Sequence, residues 1–169
     1  MTYLAKSILL VAGLSLAACT NAGRFDNDGT GAGAGSDAAI AGSASDPKSP
    51  LYFQQAIGDR VLFEVDRQTL DDEAKRVLDG QASWLTTNAD YNVIIEGHAD
   101  EQGTREYNLA LGARRASAVR EYLISRGISS NRLKTVSYGK ERPIEICSEE
   151  SCYAKNRRAV TVLASGLTG

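Results

Sequence analysis

Apolar residues recur along the chain with two periods, and each period marks one kind of element. Val61-Leu62-Phe63-Glu64-Val65 is β-branched and aromatic and predicts a strand. Leu70, Ala74, Val77, Leu78, Ala82 and Leu85 recur at helical spacing, with Asp71 or Asp72 placed to cap the helix they define. Tyr91 to Glu96 is a second strand, ended by Gly97. Residues Thr104 to Arg126 predict a second, longer helix with Leu109, Ala113, Ala116, Val119 and Leu123 turned inward and Gly127 as its C′ stop. Leu133 to Tyr138 and Arg158 to Ala164 read as a third and a fourth strand, separated by a loop. The order is strand, helix, strand, helix, strand, loop, strand, without an internal repeat. Strands alternating with long helices favour parallel pairing through crossovers, with helices packed on the sheet.

Before Leu51 both periods lapse. Asn21 to Pro50 is rich in Gly, Ala, Ser and Asp, including Gly29-Thr30-Gly31-Ala32-Gly33-Ala34-Gly35-Ser36. Such a segment buries too little apolar surface to offset its chain entropy, and it is expected to be a disordered tether. As a flexible coil of about 30 residues it spans roughly 30 Å. At the extreme N-terminus Lys6 precedes an apolar run from Ser7 to Leu16, too short for a bilayer and suited to a secretory signal peptide.

Composition is that of an ordinary soluble domain: 43% hydrophobic, 24% charged, formal net charge −2. A dedicated nucleic-acid binder carries a strong basic excess, so nucleic acid is not expected as a partner. The three cysteines are an odd number for an exported chain. Cys19 directly follows Leu16-Ala17-Ala18, which resembles the bacterial lipobox, where the thiol carries diacylglycerol and the chain is cut just before it. That resemblance divides the chain into a signal peptide (1–18), a lipidated N-terminus with its linker (19–50) and a globular domain (51–169). Stable anchoring follows from two or more acyl chains. Thr20, where Asp favours inner-membrane retention in enterobacterial-type sorting, points to the periplasmic face of the outer membrane. Lipidation of Cys19 leaves Cys147 and Cys152 close enough to pair, a small loop worth about 2 kcal/mol in chain entropy. The rival reading, a metal clip, wants further Cys or His ligands, and His98 is the only histidine. No metal or other cofactor is expected.

The candidate chemistry lies between Gly97 and Ala116. Asp100 sits just past a strand end, among free backbone N–H groups. On the following helix Asn108, Leu111, Arg115 and Val119 share one face. An arginine in such a line is unusual, because Arg is rarely buried unless paired.

Asn108-x-x-Leu111-Gly112-x-x-Arg115-Ala116-x-x-Val119-x-x-x-Leu123 resembles the hallmark helix of the OmpA-like peptidoglycan-binding domain family. Three further stretches are similar to one branch, the peptidoglycan-associated lipoproteins: Glu96 to Thr104, Val136 to Pro143 and Lys155 to Val160. The resemblance runs from about Ile57 to Leu163. It implies an α+β fold of βαβαββ type, a sandwich with a mixed four-stranded sheet and helices on one face, preceded by the disordered tether. It implies that Asp100 and Arg115 hold meso-diaminopimelate of the peptidoglycan stem peptide, that Leu111 lines the pocket, that Val65 and Asp66 stand where relatives carry an aromatic–Asp pair, and that backbone from Gly97 to Ala99 supplies hydrogen bonds. It also implies partners in the Tol–Pal system, notably TolB, and a part in envelope integrity and cell division.

These roles are physically coherent. Arg115 can meet a carboxylate with two parallel N–H bonds, Asp100 can accept from an ammonium, and Leu111 offers the methylene chain a dry surface. The residues also allow other readings. Asp100 can simply cap a helix, and Arg115 can be a structural partner of Asp100 or Asp66. Arg157 and Arg158 read as structural, His98 as a loop hydrogen-bonder and Trp84 as packing. Two other functions remain open: the same wall-binding domain serving a secretion or motility complex, and a peptidoglycan hydrolase using Glu96 and Asp100 or Asp66 as an acid–base pair. A neighbouring arginine would keep such a carboxylate ionised instead of poised as an acid, and no nucleophilic triad or zinc cluster is present, so no catalytic residue is expected.

Overall fold

The first helix to be set by sequence starts at Asp71, whose carboxylate accepts from the Ala74 N–H at 2.7 Å and caps α2 (Asp72–Thr87). The structure, a computed structural model, describes residues 41–165; the leader, Cys19 and most of the expected linker lie outside them. A short helix α1 (Pro50–Tyr52) runs into a π-helical turn (Phe53–Gly58) before strand β1 (Arg60–Leu62). After α2 come β2 (Tyr91–His98), α3 (Arg105–Ser125), β3 (Leu133–Gly139), α4 (Glu150–Asn156) and β4 (Arg158–Ser165).

The strands form one mixed sheet in the order β1-β4-β2-β3. β2 and β3, joined by α3, pair in parallel, as a helical crossover favours. β4 then inserts between β1 and β2, antiparallel to both. The expected parallel pairing therefore holds for one of the three strand pairs. The last strand follows α4, a seven-residue helix too short to carry the chain back along the sheet as α3 does, and it enters in the opposite sense. Buried residues of α2 and α3 (Ala74, Leu78, Leu85, Ala116, Val119, Leu123) pack on Val93 and Ile95 of β2 and Leu133 of β3 to form the core.

How α3 is rotated on the sheet follows from glycine. A Cβ on Gly97 would lie 1.8 Å from the Gly112 carbonyl oxygen, and one on Gly112 would lie 2.4 Å from Ser137 Oγ. The helix backbone thus rests directly on β2 and β3. This turns Asn108, Leu111, Gly112, Arg115, Ala116, Val119 and Leu123 inward. Leu109 and Ala113, expected inward, face solvent instead; the glycine contact rotates the buried stripe away from them. At the other end Gly127 adopts φ +94°, its N–H bonds Ile124 O and the Ile128 N–H bonds Leu123 O, a Schellman stop sealed by buried Ile128.

Two further expectations change. The first strand ends at Leu62 instead of Val65, because a turn begins at Glu64. Residues 43–49, expected to belong to the tether, are folded onto the domain. Ser49 is buried and donates to Ser43 O, Asp46 accepts from the Gly42 and Lys48 N–H groups, and the Trp84 indole donates to Pro47 O at 2.7 Å. Trp84 itself packs between Phe53 and Tyr91, its ring tilted to both. The boundary expected at Leu51 falls inside α1, after this packed segment. The segment between β3 and β4, expected to be loop, contains α4, closed at its start by a Cys147–Cys152 disulfide with a Cα–Cα distance of 6.0 Å.

Candidate functional site

Four chain segments meet at one end of the sheet. β2 runs out through Ala99 into the Asp100–Gly103 turn, and Thr104 caps α3 by accepting from the Tyr107 N–H. The third segment is the turn after β1, closed by the Arg67 N–H on Glu64 O at 3.2 Å. Asp66 occupies its left-handed position at φ +55°, which Asp tolerates better than most side chains. The fourth is the end of α4, which delivers Arg157.

Between them lies a cleft of about 310 Å³ lined by Val65, Asp66, Asp100, Gln102, Gly103, Tyr107, Asn108 and Leu111. The structure thus brings Val65, Asp66, Asp100 and Leu111 together. Gly97 and Ala99 do not line it. Gly97 is the contact point for α3, and the Ala99 N–H is already committed to Gly139 O at 2.8 Å. Arg115 does not line it either. Its side chain is 0% exposed, and it donates from Nε to Arg67 O (2.8 Å), from Nη1 to His98 O (2.8 Å) and from Nη2 to Glu64 O (3.1 Å), with the guanidinium 5.1 Å from the Phe63 ring centroid. The expected two-pronged grip on a carboxylate is therefore not how this guanidinium is used. It ties the Glu64–Arg67 turn to the end of β2. Burial lowers its pKa to about 10, with Asp100 and Asp66 opposing that shift and Arg157 adding to it, so it stays cationic at neutral pH.

Asp100 has a different partner from the one expected. Its Oδ2 accepts from Arg157 Nη1 at 3.1 Å, the two side chains being 9% and 6% exposed, while Oδ1 accepts from the Gln102 N–H at 3.3 Å. Burial disfavours charge on Arg157, but Glu150 and Asp100 outweigh it and its pKa is raised. Across the cleft mouth the Tyr107 hydroxyl donates to Asp66 Oδ1, and this bond raises the tyrosine pKa. Asn108, fully buried, donates to Gln102 O at 2.7 Å and fixes the loop that carries Asp100.

Sequence reasoning missed Gln102, Tyr107 and Asn108 as liners and Arg157 as the counter-ion. The signal for Arg157 is its place directly before a strand, where an arginine that is buried needs a partner. Glu96 is not in the cleft; its carboxylate lies 3.7 Å from His98 Nε2. Glu96 and Asp100, considered as an acid–base pair for a hydrolase, are therefore not brought together in the cleft. Among the described residues no group of three or more His, Cys, Asp or Glu side chains is placed to hold a metal ion.

The model of the OmpA family matches residues 62–157. The chain is 51% identical over 156 residues to a peptidoglycan-associated lipoprotein of Rhizobium meliloti (strain 1021), covering 92% of this chain and 85% of that protein. The crystal structure of the peptidoglycan-associated lipoprotein from Burkholderia pseudomallei is similar with a TM-score of 0.64 and 37% identity, over 72% of this chain and 98% of that one. The C-terminal domain of Helicobacter pylori MotB, at a TM-score of 0.60 and 22% identity over 64% of this chain and 86% of that one, shares the fold alone.

Proposed function

The chain belongs to the OmpA family, among its peptidoglycan-associated lipoproteins, and from that premise we propose that it grips peptidoglycan non-covalently, without catalysis, through meso-diaminopimelate of the stem peptide. The observation that carries this reading is the cleft itself: two carboxylates, Asp66 and Asp100, share it with the apolar side chains of Leu111 and Val65. Diaminopimelate presents ammonium and carboxylate groups on a short hydrocarbon chain. Asp100 and Asp66 accept from the ammonium, and Leu111 covers the methylenes. Arg115, buried behind them, and Arg157 beside Asp100 supply the positive field for the carboxylate. Gly97 and Ala99 act by shaping the strand end. A ligand with the wrong charge pattern leaves one of these groups unpaired, which is where discrimination arises.

In this reading Cys19 is lipidated and holds the outer membrane, the linker spans to the wall, and many copies on one polymer add avidity to a modest single-site affinity. TolB and the other Tol proteins are the proposed protein partners, and envelope integrity and division the proposed setting. Co-sedimentation with purified diaminopimelate-containing sacculi tests the site: Asp100→Asn should abolish it with the circular dichroism unchanged, and normal sedimentation by the folded variant would refute the assignment. Cys19→Ser should move the protein from the membrane to the soluble periplasmic fraction; unchanged membrane retention would remove the anchor from the proposal.

A further inference from the structure

Behind the cleft, Arg157 is held on every side. Its Nε donates to Phe63 O at 3.1 Å, its Nη1 to Asp100, and its Nη2 to Glu150. Its own backbone carbonyl accepts from the Phe63 N–H and its N–H donates to Tyr153 O. One residue earlier, Asn156 is fully buried. Its Oδ1 accepts from the Ile144 and Glu145 N–H groups, and its Nδ2 donates to Glu145 O and to Glu101 Oε1 at 2.8 Å. The C-terminal end of α4 therefore grips two consecutive residues of the cleft loop: Asp100 through Arg157 and Glu101 through Asn156.

The other end of α4 has little to hold it. The helix has seven residues, too few to be stable alone, and its N-cap Glu149 makes no capping bond. The loop before it does not pack by burial, since Ile146 is 89% exposed. What closes it is the Cys147–Cys152 bridge, and Glu150, the outer partner of Arg157, lies inside the bridged loop.

We infer that Arg157 is a positioning residue for Asp100, backed by Glu150 and the Cys147–Cys152 loop, so that a disulfide outside the cleft sets the affinity of the cleft for the ligand's ammonium group. This rests on the proposed role of Asp100 in binding. Opening the bridge frees Glu150 and frays the first turn of α4; the guanidinium then loses one of its three anchors, and the Asp100 carboxylate loses its fixed direction. A lysine at 157 keeps the charge but cannot reach three partners with one planar fork.

The test uses the full chain in mild detergent and a concentration series of diaminopimelate-containing sacculi. Dithiothreitol reduces the bridge to two thiols and is itself oxidised to its cyclic disulfide. Reduction, or the Cys147→Ser/Cys152→Ser pair, should weaken binding about fivefold, the scale of one hydrogen bond. Glu150→Gln should do the same and Arg157→Lys somewhat more, and the Gln102 amide resonance, which reports on Asp100 Oδ1, should move in each case. In the Arg157→Lys background reduction should have no further effect, because the path runs through the guanidinium. Equal affinity of the oxidised and reduced proteins overturns the inference, as does a loss on reduction that is additive with Arg157→Lys. Asp100→Asn separates the two levels. If it binds like the parent, the cleft assignment itself falls; if it fails while reduction and Arg157→Lys are silent, only the positioning role falls.

Discussion

Replacing Arg115 with alanine should unfold the site, not merely empty it. The side chain is 0% exposed and its three N–H bonds go to the carbonyls of Glu64, Arg67 and His98. The His98 carbonyl is buried and those of Glu64 and Arg67 are half-buried; a fully buried one left without a donor costs about 1–3 kcal/mol and the others less. Water entering the space left by the guanidinium recovers part of that, while the packing on the Phe63 ring is lost as well, so the net loss is about 3–5 kcal/mol, at the upper end for a single substitution that breaks a buried hydrogen-bond network. For a domain of this size that corresponds to a fall in melting temperature of roughly 10–20 °C. The measurement is thermal and urea unfolding of Arg115→Ala beside Asp100→Asn. The expected pattern is a large stability loss in the first and a small one in the second, with binding lost in both. Arg115→Lys, which retains the charge and at most part of the carbonyl network, should fall between. If Arg115→Ala melted within about 3 °C of the parent while losing sacculus binding, the guanidinium would be a ligand group and not the clasp of the Glu64–Arg67 turn.

Two other outcomes follow from the packing. Gly97→Ala places a methyl group 1.8 Å from the Gly112 carbonyl oxygen, backbone against backbone, so α3 must lift from the sheet; the variant should lose more than about 4 kcal/mol, and native-like urea unfolding would contradict the close approach. His98 is 2% exposed with neither ring nitrogen hydrogen-bonded, and burial, with Arg158 and Arg142 adding to it, lowers its pKa from 6.5 to about 4. The unfolded chain therefore takes up a proton below pH 6.5 that the folded chain refuses until about pH 4, so stability is full above pH 6.5 and falls by roughly 3 kcal/mol across that window. Urea midpoints measured from pH 7.5 to 4 should show this component in the parent and not in a folded His98→Gln variant; superimposable profiles would contradict it.

The elements that sequence predicted well are those whose signal is local. Asp71 and Thr104 cap their helices through their own side chains, Gly127 supplies the left-handed turn, and Val93 and Ile95 alternate with less buried residues along β2 as one face of a strand does. What was not legible depends on partners distant in sequence. The insertion of β4 between β1 and β2 pairs it with strands more than 60 residues away in sequence, which its own residue pattern does not specify. The azimuth of α3 is set by Gly97 meeting Gly112, fifteen residues away, and Leu109 and Ala113 carry no mark of it. α4 is seven mostly polar residues without helical periodicity, held by a disulfide and by the buried Asn156. Residues 43–49 look like linker until Trp84 is seen to donate to Pro47.

The same distinction explains what the sequence said about the site. Asp100 and Leu111 were identifiable because the strand end and the helix face that present them are local features. The partners of Arg115 and Arg157 were not, because each guanidinium joins segments far apart in the chain: Arg115 reaches back 51 residues to Glu64, and Arg157 reaches back 94 to Phe63. Hydrocarbon of similar volume could hold those segments together at least as well, since a buried charge carries a desolvation cost that its bonds only offset. What hydrocarbon cannot do is stand beside Asp66 and Asp100 as counter-charge while fixing, by planar geometry, the turn and the loop that present them. In the proposed function both tasks fall to the same two side chains. The cleft is then ordered before any ligand arrives, and less of the interaction with the wall is lost to ordering it.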